Sequence, residues 1–98
     1  MVVTIAQITI RIPENHSLKG KRKVVKSLIE KVRHRFLAAI AEVDDHDLWQ
    51  QAKLGLALIG NDSQILDASL TKIIDYMEAQ HLAQIIDSKV EVWHINDR

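Results

Sequence analysis

Over Val2 to Ile12 the side chains alternate, with Val2, Thr4, Ala6, Ile8, Ile10 and Ile12 on one side and Val3, Ile5, Gln7, Thr9 and Arg11 on the other. A period of two predicts a strand with one apolar face. The only proline, Pro13, stands where that pattern stops, and Ser17 can cap a helix by accepting from the unpaired backbone donors of its first turn. From there the period changes. Val25, Leu28, Ile29, Val32 and Phe36 recur at helical spacing, with Val24 widening the stripe, so the segment from about Leu18 to Arg35 reads as an amphipathic helix. Gly20 weakens its first turn.

Phe36 to Val43 and Leu54 to Ile59 are short apolar runs separated by a polar stretch that includes Asp44, Asp45, His46 and Asp47. They read as two strands joined by a long hairpin or a helical turn, with Asp47 capping the Leu48-Trp49-Gln50 turn and Trp49 plugging the hairpin onto the domain. Gly60-Asn61-Asp62-Ser63 opens a second helix, which carries Leu66, Leu70, Ile73 and Met77 on one face. Ile85 to Ile95 alternates again, Val90 and Val92 against Lys89, Glu91 and Trp93, and predicts a last strand.

The order strand, helix, strand, strand, helix, strand, with right-handed crossovers, gives an α+β fold: a ferredoxin-like βαββαβ sandwich. Its four-stranded antiparallel sheet carries both helices on one face, with strands one and three central. The other face stays open, and on it lie Val3, Ile5, Gln7 and Thr9, then Gly55, Ala57 and Ile59, then Lys89, Glu91 and Trp93. A partly apolar surface of this kind is suited to a second subunit, with Val3, Ile5, Ile59 and Trp93 as the interface candidates.

Composition narrows the picture. A chain of 98 residues, 47% hydrophobic and 27% charged, suits one domain over residues 1–98 with one core. There is no cysteine, which excludes disulfides, thiolate metal sites and a cysteine nucleophile. No apolar run approaches the roughly 20 residues of a membrane span, and the start lacks the features of a signal peptide, so a cytoplasmic address is expected. Formal net charge is zero, yet Lys19 to Arg35 holds eight lysines or arginines against one acid, Glu30. Turning the helix by about 100° per residue gathers Arg22, Lys26 and Arg33, flanked by Lys19 and Lys23, into a basic ridge beside the apolar stripe.

The blocks Leu18 to Leu28, preceded by His16-Ser17, and Ala41 to Ala52, followed by Leu54 to Asp62, resemble the YlxP-like family of small bacterial proteins over nearly the whole chain. The matching positions are His16, Ser17, Leu18, Lys19, Lys21 and Arg22, then Glu42, Asp47, Leu48, Trp49 and Gln50. The resemblance implies a ferredoxin-like, cytoplasmic protein, often encoded beside translation and ribosome-maturation genes, in a family of unknown function. It departs at Gly20, where many relatives carry a helix-favouring acid.

Lys19, Lys21, Arg22, Lys23, Lys26 and Arg33 are the candidates for holding an RNA phosphate backbone, in the ribosome or another translation-associated particle, without reading bases. A solvated helix face and an acidic protein partner are the competing readings of the same charges. Base stacking on the open face is disfavoured because its central positions are Ile5, Gln7, Gly55 and Ala57, and Trp93 alone could stack. Its indole is better suited to packing or a subunit contact. Glu42 and the Asp44 to Asp47 run offer oxygen and imidazole ligands, but successive residues rarely converge on one ion, so no metal is expected. That acidic run is a possible counter-charge for the basic helix of a neighbouring subunit. His16 and Ser17 are adjacent without an elbow or a glycine-rich phosphate loop, which argues against catalysis, and no cofactor is implied. The alternatives to RNA association are a homo-oligomeric interaction module on the open face and a small-anion or small-molecule sensor.

Overall fold

The computed structural model describes residues 1–95 of the chain. Its elements are β1 (Val2–Arg11), α1 (Leu18–Arg35), β2 (Ala39–Asp44), β3 (Gln51–Gly60), α2 (Ser63–Ala79) and β4 (Gln84–His94). The sheet is antiparallel in the order β2-β3-β1-β4, the ferredoxin-like arrangement with β1 and β3 central. Both helices pack on the face that carries Val2, Ala6, Ile8 and Ile10 of β1 and Ala52, Leu54, Leu56 and Leu58 of β3. Against these lie Val25, Leu28 and Val32 of α1 and Leu66, Leu70, Ile73 and Met77 of α2. Each large side chain in that cluster contributes about 1.5–3 kcal/mol by leaving water.

Helix starts follow the expected chemistry. Ser17 Oγ accepts from the Gly20 amide at 2.9 Å and Asp62 Oδ1 from the Gln64 amide at 2.9 Å, supplying acceptors to first-turn donors that have none within the helix. α1 stops at Phe36, whose amide still reaches the Val32 carbonyl while its backbone turns extended. The ring of Phe36 meets Tyr76 of α2 edge-on, with centroids 5.5 Å apart. β2 therefore begins at Ala39 rather than at Phe36. β3 starts earlier than its apolar run, at Gln51, because the ladder with β1 continues through Thr9↔Lys53 to Arg11↔Gln51. Backbone pairing, not apolarity, sets that end.

No helix of the described residues is long and apolar enough to cross a membrane.

Candidate functional site

Seven of the eight basic residues of α1 are exposed, but Lys21 is not: the structure buries it completely. This removes Lys21 from the candidates for phosphate contact. Its place follows from helical spacing, since Lys21 stands four residues before Val25 and seven before Leu28, on the stripe that faces the sheet. The stem lies in the core and the ammonium emerges under the β2–β3 loop. There Nζ donates to the carbonyl of Asp45 and, at 3.2 Å, to that of His46, and it lies 3.2 Å from Glu42 Oε2. Asp45 adopts φ 62°, a left-handed conformation that aspartate tolerates better than most residues, and the turn so made presents consecutive carbonyls to the lysine. The side chain of Asp45 accepts from Gln51 Nε2 at 2.8 Å, closing the loop base.

The acidic loop is thus fastened to α1 of its own chain through its backbone carbonyls, while the side chains of Asp44, His46 and Asp47 stay exposed. Its turn is organised by Asp44 and Asp45, with the Leu48 amide donating to the Asp45 carbonyl at 3.1 Å, rather than by an Asp47 cap. Trp49 does not plug the hairpin, for it is 54% exposed. Its backbone makes the connection instead: Asn15 Nδ2 donates to the Trp49 carbonyl at 2.6 Å and to the Ser17 carbonyl at 2.8 Å. Gly20 makes room for this. A Cβ there would collide with Asn15 Oδ1. Gly20→Ala gains up to about 1 kcal/mol of helix propensity but displaces a side chain making two hydrogen bonds of about 1 kcal/mol each. We expect it to lower stability in thermal unfolding, and to raise stability once Asn15→Ala is also present.

The exposed ridge holds Lys19, Arg22, Lys23, Lys26 and Arg33. Arg33 Nη2 also donates to the Ile40 carbonyl of β2 at 2.8 Å, and Lys26 Nζ stands 4.0 Å from Glu30 Oε1, a solvated i,i+4 pair that holds neither side chain firmly. Lys31, His34 and Arg35 extend the basic surface around the end of α1, where they line a shallow depression together with Tyr76. The Arg35 guanidinium lies 4.8 Å from the Tyr76 ring centroid. Lys31 and Arg35 were countable in the sequence, but their neighbour on α2 was not.

On the open sheet face Val3 is flanked by Ile59 on β3 and Trp93 on β4, and Ile5 follows two residues along. Ile5, Ile59 and Trp93 are 41%, 68% and 59% exposed, so three strands present one apolar row to solvent. The Trp93 indole donates to Glu91 Oε2 at 3.2 Å.

The family described as "Protein of unknown function (DUF503)" matches residues 3–90. This chain belongs to the DUF503 family. The uncharacterized protein YlxP of Bacillus subtilis (strain 168) is 27% identical to it over 63 residues, covering 64% of this chain and 68% of that protein. Among solved structures, a crystal structure of an antibiotic biosynthesis monooxygenase superposes with a TM-score of 0.52 at 20% identity, covering 98% of this DUF503 chain and 99% of the other. At that identity the likeness shows a shared ferredoxin-like fold alone.

Proposed function

We propose that this DUF503 protein is a non-catalytic RNA-associated module that holds phosphate backbone on α1 through Lys19, Arg22, Lys23, Lys26 and Arg33. One observation carries the reading: α1 exposes seven lysines and arginines against a single acid, Glu30, while its eighth cation is buried beside Glu42. A surface so biased creates a local field that attracts polyanions even in a chain of zero net charge. The absence of paired aromatics among Ile5, Gln7, Gly55 and Ala57 on the central strands favours contact with backbone over contact with bases. A ribosomal or other translation-associated RNA is the setting that the family resemblance suggests.

The test is a salt titration of binding to a fluorescent single-stranded RNA, followed by anisotropy. About five phosphate contacts give a slope of log K against log salt near −3.5, so affinity is expected to fall about 100-fold between about 50 and about 200 mM salt. A flat dependence, or no binding at the lower concentration, would sink the proposal. A second reading, in which another subunit covers the open sheet face, is favoured by the apolar row of Val3, Ile5, Ile59 and Trp93.

A further inference from the structure

The two edges of the sheet are treated differently. β2 is six residues long and irregular between Glu42 and Asp44, and Arg33 occupies its Ile40 carbonyl. These are the devices by which an edge is closed to further strands. β4 runs for eleven residues with β1 as its sole hydrogen-bonded neighbour among the described residues, and its one irregularity lies at its beginning, opposite Thr9 and Ile10. From Ser88 to His94 the strand is regular.

Which groups face the free side follows from the ladder. The Ile95 amide donates to the Met1 carbonyl at 2.9 Å, and the Met1 nitrogen reaches the Ile95 carbonyl at 3.3 Å, so these two residues exchange both bonds. In an antiparallel ladder such pairs alternate. Val3·Trp93, Ile5·Glu91 and Gln7·Lys89 therefore exchange bonds as well. Ser88, Val90, Val92 and His94 are left with their amides and carbonyls directed away from β1.

We propose that β4 pairs antiparallel with β4 of a second copy of this chain about a two-fold axis at Val90, making one continuous eight-stranded sheet. The charges favour this register over the two next to it. Lys89 then lies opposite Glu91 of the second copy and Glu91 opposite its Lys89. Moving the axis to Lys89 sets lysine against lysine and Glu91 against Asp87, and moving it to Glu91 sets glutamate against glutamate. Like charges directly opposite one another disfavour a pair, and unlike charges favour it. An axis at Ser88, which would also set Lys89 against an acid, Asp87, runs the pairing into the irregular start of the strand. The other side of the strand agrees. Val90 and Val92 lie on the helix side yet are each 47% exposed, because the helices leave this end of β4 uncovered. About the axis the four valines of two copies come together, and Ser88, Val90 and Val92 supply about six backbone hydrogen bonds.

Sedimentation velocity of the full chain over a concentration series tests this. A reversible dimer is expected. Lys89→Glu and Glu91→Lys should each weaken it at least about tenfold by opposing like charges twice, and the double swap K89E/E91K should restore it. Val90→Pro should abolish the dimer while far-UV circular dichroism stays unchanged, since the amide it removes makes no bond to β1. If that variant fails to fold, the charge swap still decides. A chain that stays monomeric throughout overturns the proposal. So does a dimer indifferent to Lys89→Glu, or one that is split by Ile59→Asp on the open face and not by the β4 substitutions.

Discussion

Lys21→Ala is expected to destabilise the protein by about 3 kcal/mol, the largest effect of any single charged residue among the described residues. The lysine side chain is 1% exposed and its ammonium meets two carbonyls and the Glu42 carboxylate. Removing one member of a buried ion pair typically costs about 3–5 kcal/mol, because the other charge stays behind without its partner. Glu42 keeps 17% of its side-chain surface in water, which places the loss at the lower end. In thermal unfolding that corresponds to a fall in Tm of about 12–24 °C for a domain of this size. Lys21→Met keeps the apolar stem and should cost somewhat less. Adding Glu42→Leu to Lys21→Met should recover about 1 kcal/mol, since the stranded carboxylate goes while the Asp45 and His46 carbonyls still lack a donor. A loss below about 1 kcal/mol for Lys21→Ala would mean that water replaces the ammonium freely, and that Lys21 does not hold the β2–β3 loop in place. The same substitution should leave RNA affinity unchanged at temperatures where the chain is folded, because the buried ammonium cannot meet a phosphate.

Lys21 also shows where sequence reading stops. Five of the eight residues from Lys19 to Lys26 are basic, and charge alone makes them look alike. Helical spacing does separate them, since Lys21, Val25, Leu28 and Val32 form one stripe, but a lysine on an apolar stripe ordinarily runs its stem along the core and ends in water. Here the Asp45 turn covers that exit. No local signal announced a loop arriving from 24 residues away. The strands were legible for the opposite reason: the alternation in β1 and β4 depends on each residue's own polarity, so the helix-covered and open faces could be assigned before any tertiary contact was known. The strand order followed from crossover handedness. Trp49 misled because a large aromatic suggests an anchor, whereas here the anchoring atom is its carbonyl, held by Asn15. The exposed end of β4 was hidden as well, since whether a helix reaches over Val90 and Val92 is decided by packing and not by pattern.

The double substitution R22E/K26E is expected to weaken binding of single-stranded RNA by at least about 100-fold at low salt, taking each lost phosphate contact as about tenfold, or 1.4 kcal/mol. Arg22 and Lys26 are chosen because they lie one turn apart at the centre of the ridge and neither bonds to backbone. Arg33, whose guanidinium also holds the Ile40 carbonyl, would confound lost binding with a loosened edge strand. Reversal removes two contacts and introduces two repulsions, so the slope of log K against log salt should drop from near −3.5 to about −2. The repulsive part should itself fade at high salt, as the screening length shrinks toward about 3 Å at 1 M. Wild type and variant affinities should therefore converge as salt rises, which distinguishes an electrostatic loss from a folding defect that would persist at every salt. Glu30→Gln acts in the other direction: it removes the one acid on α1 and frees Lys26 from its partner 4.0 Å away, and should tighten binding a few-fold at low salt. Affinity for RNA within twofold of wild type in R22E/K26E, measured by anisotropy in the same buffers, would return the ridge to the status of a solvated helix face.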